Sequence, residues 1–187
     1  PFVAVLGVLF FKEKINLQKI FFIIMAFVGV FLISVQDYSN IFVWGKGEIV
    51  ALISTGFFSF SYVTRKWHSS LLNNKEITSI IFFISAIAVF LTSFGVGEGL
   101  PLGNWTWGLL GAVIGAGLFN VINLFLTNYG FQKVDAVLAS NILTLESFFA
   151  VILGFIFYRE VPGLKEIIGG ILIVGSVVLM NQEESKK

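Results

Sequence analysis

The sequence contains no cysteine and one histidine, His68, among its 187 residues. Without cysteine the chain forms no disulfide and no thiolate metal site, and a single histidine cannot build a metal cluster with others of its kind. Charged residues make up only 12% of the chain, against about 25% in a typical soluble domain. The net charge of +1 provides no basic surface, which excludes nucleic acid as a partner.

Sequence motifs of common enzyme classes are also missing. The chain has no GxSxG, HExxH, Walker or GxGxxG pattern, so it lacks the residues that those patterns bring to catalysis or to nucleotide binding. We therefore predict that the protein is not an enzyme and holds no cofactor or metal.

Apolar residues are in excess, at 57% of the chain with a mean hydropathy of +0.93. This excess is too large for one soluble core and predicts an integral membrane protein. A helix needs about 20 apolar residues to cross a hydrocarbon core of ~30 Å, and continuous apolar runs favour helices over barrel strands, which alternate. We predict an all-α polytopic helix bundle with seven spans, at 1–11, 17–35, 48–65, 77–96, 105–128, 135–158 and 165–181.

The first of these spans, 1–11, is short and begins without a polar lead. It has neither the positively charged region nor the small-residue cleavage site of a signal peptide. We therefore expect it to be the truncated end of a transmembrane helix that begins upstream.

Basic residues in the loops predict the orientation, because cytoplasmic loops carry an excess of Lys and Arg. If the loop at 12–19 is cytoplasmic, nine of the twelve basic residues fall on that side and three on the other. The nine are Lys12, Lys14, Lys19, Arg65, Lys66, Lys75, Lys133, Lys186 and Lys187, and the three are Lys46, Arg159 and Lys165. The tail, 182–187, is therefore predicted to be cytoplasmic in a multi-pass protein of the cell membrane.

An internal repeat relates the two ends of the chain. LGVLFFKEKINLQKI (6–20) aligns without a gap with LGFIFYREVPGLKEI (153–167), at an offset of 147 residues and with six identities in fifteen. Both copies end their apolar run in a basic residue followed by glutamate, Glu13 or Glu160. Five predicted spans lie between the copies, and an odd number places them in opposite directions across the membrane. The pattern predicts inverted repeats of five helices, which are typical of secondary transporters.

Three stretches resemble the EamA family of the drug/metabolite transporter superfamily. PFVAVLGVLFFKEKINLQKIFFIIMAFVGVFLIS (1–34) is similar to the end of the first EamA repeat, and LESFFAVILGFIFYREVPGLKEIIGGILIVGSVVLM (145–180) to the end of the second. GKGEIVALISTGFFSFSYVTRKW (45–67) is similar to the sixth helix of the family. Two positions depart from the pattern: Glu-Ser stands at 146–147 where Glu-Pro is frequent, and Ser176 stands where glycine is usual.

The resemblance implies ten helices in two inverted repeats and the export or exchange of a small metabolite or drug by alternating access. Residues 1–36 would be the end of the first repeat, with a truncated helix four and helix five. Residues 47–181 would be the second repeat, with helices six to ten. Without a nucleotide-binding domain, uphill transport would draw on an ion or substrate gradient, and a proton is one candidate. The partners would be a small-molecule substrate and the lipid bilayer, while the oligomeric state stays open.

Two other classes of protein fit seven apolar spans. A non-transporting seven-helix receptor or scaffold is the alternative, and the inverted repeat argues against it. An intramembrane enzyme is the other, and the chain shows no paired nucleophile or set of metal ligands to support it.

Glu146 is the principal candidate for a functional residue. It lies about half-way along the 135–158 span, where a charged carboxylate costs roughly 2.5–3.5 kcal/mol on insertion scales. Such a residue is expected to face a cavity or a partner, and because burial disfavours its charged form it is a candidate for proton uptake and release. A protonated glutamate hydrogen-bonded to a neighbouring helix is the structural alternative.

Polar side chains at helical spacing form two further candidate stripes. Ser140 and Thr144 share a face with each other, and Asn120 and Asn123 share a second face. Amides are costly to bury, so the asparagine stripe favours a polar cavity, whereas hydroxyls also serve as ordinary links between membrane helices. Tyr62 is a candidate for substrate contact or for an interfacial aromatic belt.

Overall fold

The computed structural model describes residues 2–35, 45–98, 103 and 105–186, and this part of the chain is helical without strands. The helices are α1 (Phe2–Phe11), α2 (Leu17–Ser34), α3 (Lys46–His68), α4 (Asn74–Val96), α5 (Trp107–Lys133), α6 (Ala136–Leu143), α7 (Leu145–Leu153) and α8 (Leu164–Glu184). A π-helical turn, Gly154–Tyr158, continues α7. Residue 36, where the sequence places the end of the first repeat, lies outside the described residues.

The predicted all-α membrane bundle is confirmed. Six helical stretches are long and apolar enough to cross a bilayer, namely α2, α3, α4, α5, the run Ala136–Tyr158 and α8, and α1 is a shorter apolar helix. These seven stretches correspond to the seven predicted spans.

The predicted 135–158 span is confirmed as one apolar stretch, Ala136–Tyr158, and it contains an irregular turn between α6 and α7. The Thr144 N–H bonds to the Asn141 carbonyl at 3.1 Å, a spacing of three residues that tightens the helix between α6 and α7. The Thr144 hydroxyl donates to the same carbonyl at 2.6 Å. Competition of a threonine hydroxyl for a backbone acceptor bends helices, and hydropathy does not register it.

The chain divides into two compact units. Unit 1 comprises Pro1–Val63 and Val134–Lys187, and unit 2 comprises Thr64–Lys133. Unit 1 thus holds α1, α2, α6, α7, α8 and most of α3, whereas unit 2 holds the end of α3 with α4 and α5.

Helices α2 and α8 pack closely in unit 1 because glycines face each other across the contact. A Cβ atom at Gly29 would lie 2.6 Å from the Gly169 carbonyl oxygen, and one at Gly169 would lie 2.7 Å from the Gly29 carbonyl oxygen. Further along the pair, the Ser176 hydroxyl donates to the Phe22 carbonyl at 2.7 Å. The contacts 22 with 176 and 29 with 169 run in opposite order, so the two helices are antiparallel.

The backbone of unit 1 repeats at the offset of 147 residues. The apolar helices before the two turns end at Phe11 and Tyr158, and those after the turns begin at Leu17 and Leu164. The same offset relates position 29 to position 176 and position 22 to position 169. The contact of 22 with 176 therefore corresponds, in the other copy of the repeat, to the contact of 169 with 29. A two-fold axis between inverted repeats has this effect, and the geometry therefore supports the predicted repeat.

Unit 2 is built on the α4–α5 hairpin. Asn73 caps α4: its side chain accepts the Glu76 N–H at 3.0 Å, while the Glu76 carboxylate accepts the Asn73 N–H at 2.8 Å. Gly97 caps the C-terminus of α4, and its positive φ of 80° is a left-handed conformation that glycine adopts without strain.

Candidate functional site

Glu146 lies in the first turn of α7, and its side chain is exposed on the surface of unit 1. Within residues 2–35, 45–98, 103 and 105–186, no hydrogen bond or ion pair engages its carboxylate. A carboxylate without a partner is costly in the interior of a bilayer. The predicted place of Glu146 at a polar cavity or against a partner stays a prediction.

The hydroxyls that precede Glu146 bond to their own helix. Ser140 and Thr144 are both half-buried. The Ser140 hydroxyl donates to the Val137 carbonyl at 2.9 Å, and the Thr144 hydroxyl donates to the Asn141 carbonyl. Their polarity is therefore satisfied locally. Among the residues that the structure describes, neither hydroxyl bonds to a neighbouring helix, which was one of their two interpretations.

Asn141 is the polar residue of α6 that links helices, and the sequence analysis did not include it among the candidates. It is 3% exposed and donates through Nδ2 to the Ser176 hydroxyl at 3.0 Å. Ser176 in turn donates to the Phe22 carbonyl, so one buried cluster joins α6, α8 and α2. The signal in the sequence was Ser176 itself, a hydroxyl at a position where the family usually has glycine.

The asparagine stripe of α5 is exposed on unit 2. Asn120 donates to the Ala116 carbonyl at 3.0 Å, and Asn123 accepts a hydrogen bond from Thr127 at 3.5 Å, both within α5. These side chains belong to unit 2, whereas Glu146 belongs to unit 1. Both amide side chains are exposed on one face of α5, which is consistent with the predicted polar cavity.

The buried amide of α5 is Asn128, another residue outside the predicted set. It is 1% exposed, donates to the Thr78 hydroxyl at 2.9 Å and accepts from Arg65 Nη1 at 3.3 Å. Asn74 adds a bond from its Nδ2 to the Phe125 carbonyl at 3.1 Å. These bonds connect the end of α3, the start of α4 and the end of α5, and they position the helices of unit 2.

Tyr62 is half-buried near the end of α3. The adjoining face of the same helix is more open, where Ser54, Phe57, Phe58 and Ser61 line a groove of about 300 Å³. Tyr62 is not among the residues that line that groove, and its predicted substrate contact stays a prediction.

A charged cluster lies where the α1–α2 turn meets the start of α6 and the end of α8. Lys19 is 1% exposed and pairs with Asp135 at 3.7 Å and with Glu184. A buried ammonium needs such partners, because an isolated charge is costly away from water. Glu13 accepts the N–H groups of Ala136 at 2.8 Å and Val137 at 3.1 Å. Among the described residues, no group of three or more acidic or histidine side chains is arranged to hold a metal ion.

Comparisons with known proteins point to membrane transport. The model of a family described as EamA-like transporters matches residues 45–182. An uncharacterized transporter of Archaeoglobus fulgidus is 27% identical over 183 residues, which are 97% of this chain and 64% of that protein. An uncharacterized transporter of Methanothermobacter thermautotrophicus is 24% identical over 96% of this chain and 52% of its own length. The uncharacterized transporter YxxF of Bacillus subtilis is 26% identical over 95% and 56%.

The chain therefore spans between about half and two thirds of the length of these curated relatives. No solved structure matches it significantly.

Proposed function

Because the chain belongs to the EamA-like transporter family, we propose that the protein exports or exchanges a small metabolite or drug by alternating access. Its apolar helices make it a multi-pass membrane protein, and its family comprises membrane transporters and not enzymes. A proton is the proposed coupling ion, since the chain offers a carboxylate at membrane depth and no nucleotide-binding motif.

The observation that carries this proposal is the antiparallel α2–α8 pair. One offset of 147 residues relates both the helix boundaries and the two close contacts of unit 1. Inverted repeats place a substrate site near the middle of the bilayer, between two halves that exchange conformations. A receptor or scaffold has no need of this symmetry.

The complete transporter is proposed to contain two five-helix repeats, of which this chain supplies the end of the first and all of the second. Residues 1–36 and 47–181 are the proposed parts, and 182–187 the proposed cytoplasmic tail. Since a cavity between repeats needs both halves, we expect transport only from the full-length protein.

Glu146 is the proposed residue of the translocation path. Its carboxylate is exposed on unit 1 and has no partner among the described residues, whereas Glu13 is engaged by backbone N–H groups. An unengaged carboxylate in the bilayer is free to bind a cationic group or a proton. Ser140 and Thr144, which precede it in unit 1, are proposed as polar lining of the same path. Asn120 and Asn123 are proposed separately, as polar lining offered by unit 2.

The test is the substitution Glu146→Gln in the full-length protein reconstituted into vesicles. Glutamine keeps the shape and the hydrogen-bonding capacity of the side chain but removes its titration. We expect normal insertion and folding, with loss of transport or loss of its dependence on pH. Substrates are first found with the wild type, by screening amino acids, nucleosides, sugar conjugates and drugs.

Glu48→Gln is the matched control. The Glu48 carboxylate accepts the Gly45 N–H at 2.8 Å at the start of α3, so its role is local to that helix. Its variant should transport like the wild type. If Glu146→Gln also matches the wild type from mildly acidic to mildly alkaline pH, Glu146 has no role in the path.

A further inference from the structure

The irregular turn between α6 and α7 is made of two tightened hydrogen bonds in succession. The Thr144 N–H bonds to the Asn141 carbonyl and the Ser147 N–H bonds to the Thr144 carbonyl, both at 3.1 Å and both three residues back. In a regular α-helix these N–H groups would bond to the carbonyls of Ser140 and Leu143, four residues back. The regular pattern of the helix is therefore interrupted on both sides of Thr144.

The side chain of Thr144 is the local feature that accounts for this turn. The segment SNILTLES, at 140–147, contains neither proline nor glycine, which are common causes of a kink in a helix. The Thr144 hydroxyl donates at 2.6 Å to the Asn141 carbonyl, the same oxygen that accepts the Thr144 N–H. A hydroxyl that bonds to the backbone of its own helix offers the chain an alternative to the regular pattern and bends the helix.

Helix α6, on one side of the turn, is held at both of its ends by other helices. At its start, the Glu13 carboxylate accepts two N–H groups of the first turn, at 2.8 and 3.1 Å. Near its end, the buried Asn141 donates to the Ser176 hydroxyl at 3.0 Å. The residues between, 136–139, are also buried. A change of geometry in the irregular turn would therefore move α7 and leave α6 in place.

Glu146 lies two residues after Thr144, so the direction of its carboxylate depends on the turn. A 3₁₀-helix turns by about 120° per residue and an α-helix by about 100°. Tightening of the segment between Asn141 and Ser147 thus rotates α7 about its own axis by on the order of 100°, relative to a continuous helix. A rotation of this size moves a side chain from one face of the helix to another.

We propose that Thr144 is a positioning residue for Glu146: its hydroxyl maintains the irregular turn, and the turn directs the Glu146 carboxylate toward the translocation path. This inference rests on the proposed function, because it assigns to Thr144 an effect on the residue proposed for that path. Thr144 acts through the backbone of α7, in addition to its proposed place in the polar lining.

The first measurement is the orientation of α7 in the full-length protein, reconstituted into phospholipid vesicles. Single cysteines at positions 148–153 are spin-labelled one at a time, in a protein without other cysteines. The access of each label to oxygen, which enters the lipid, and to a nickel chelate, which stays in water, reports the direction in which that position faces. Thr144→Val keeps the shape of the side chain and removes the hydroxyl. We expect the pattern of access to shift by about one residue along α7, which is a rotation on the order of 100°.

Two variants serve as controls for this measurement. Thr144→Ser keeps the hydroxyl and should give the wild-type pattern. Ser140→Ala removes a hydroxyl that donates to the Val137 carbonyl at 2.9 Å, within α6 and before the turn, so it should leave the pattern unchanged. If Thr144→Val does not insert, Thr144→Ala replaces it and should give the same shift, because alanine lacks the hydroxyl and has the highest helix propensity.

The second measurement is the dependence of transport on pH, with a substrate found for the wild type. Thr144→Val should lose transport or its pH dependence, as Glu146→Gln does, because the carboxylate turns away from the path. Thr144→Ser should recover what Thr144→Val loses. A role in stability alone would lower the amount of folded protein and leave the pH dependence of the remainder as it is in the wild type.

Two results would overturn the proposal. One is a pattern of access along α7 that is the same in Thr144→Val and in the wild type. The other is a shifted pattern in a variant that transports with the pH dependence of the wild type. A wild type that transports none of the substrates would refute the proposed function, whereas the orientation of α7 needs no substrate and would still decide whether the Thr144 hydroxyl controls the turn.

Discussion

The close approach of α2 and α8 makes a strong prediction about glycine. Substitution Gly29→Ala should destabilise the protein, although alanine normally stabilises a helix by about 0.5–1 kcal/mol relative to glycine. The added Cβ would lie 2.6 Å from the Gly169 carbonyl oxygen, 2.8 Å from Ile173 Cγ1 and 3.1 Å from the Ile173 nitrogen. Two of these three atoms are backbone, so rotation of a side chain cannot relieve the clash.

The size of the effect follows from the separation that the methyl group requires. Ordinary contact begins at 3.4 Å, so the helices would have to move apart by roughly 0.8 Å at this point. Overpacking of this kind costs typically 1–3 kcal/mol, which exceeds the gain in helix propensity. The net loss of about 1–2 kcal/mol corresponds to a fall in Tm of about 2–8 °C for a chain of this size.

The assay is thermal unfolding of the full-length protein in a mild detergent. The quantity measured is the fraction of protein that remains monodisperse after heating. Gly115→Ala is the control, since within the described residues nothing lies within 4 Å of a Cβ at Gly115, and it should be neutral or stabilising. The double substitution Gly29→Ala with Gly169→Ala should cost less than the sum of the single ones, because the first methyl already separates the helices. A Gly29→Ala variant as stable as the Gly115→Ala variant would refute the close approach.

Three other outcomes are expected. Asn128→Leu should lower the free energy of unfolding by about 1–3 kcal/mol in the same thermal assay, because it removes the buried amide that bonds to the Thr78 hydroxyl and to Arg65. Asn120→Leu, on the exposed face of α5, should lower it by less. Ser176→Ala should cost about as much as Asn128→Leu, because it strands the amide of the residue that donates to it. A cysteine at Leu71, which is 78% exposed, should label from the cytoplasmic side only, and labelling from outside intact cells would reverse the proposed orientation.

The helical spans and the repeat could be predicted from the sequence because they depend on local properties. A bilayer requires apolar runs of nearly fixed length, and charged residues mark their ends. The alignment of 6–20 with 153–167 located both turns, and the structure ends and begins the helices at the same offset. The irregular turn at Thr144 could not be predicted, because one hydrogen bond from a hydroxyl group changes helix geometry without changing hydropathy.

The polar clusters show where such reasoning stops. Helical spacing groups Asn120 with Asn123, but it does not say which face of α5 meets another helix. The face that packs carries Asn128, and its partners Thr78 and Arg65 are distant in sequence. Asn141 was passed over for the same reason, since its partner Ser176 lies on another helix. Partners of buried amides are set by tertiary packing, which a single sequence does not encode in its periodicity.

The two halves of unit 1 share a backbone but differ in chemistry. Ser176 links α6 to the α2–α8 pair through Asn141, whereas its counterpart in the repeat, Gly29, has no side chain that bonds. The contact of 29 with 169 therefore depends on the close approach of two glycines, and the contact of 22 with 176 depends on a hydrogen bond. Because the two contacts are equivalent by the repeat, Gly29→Ala and Ser176→Ala should both destabilise the same helix pair, the first by crowding and the second by loss of a hydrogen-bond partner.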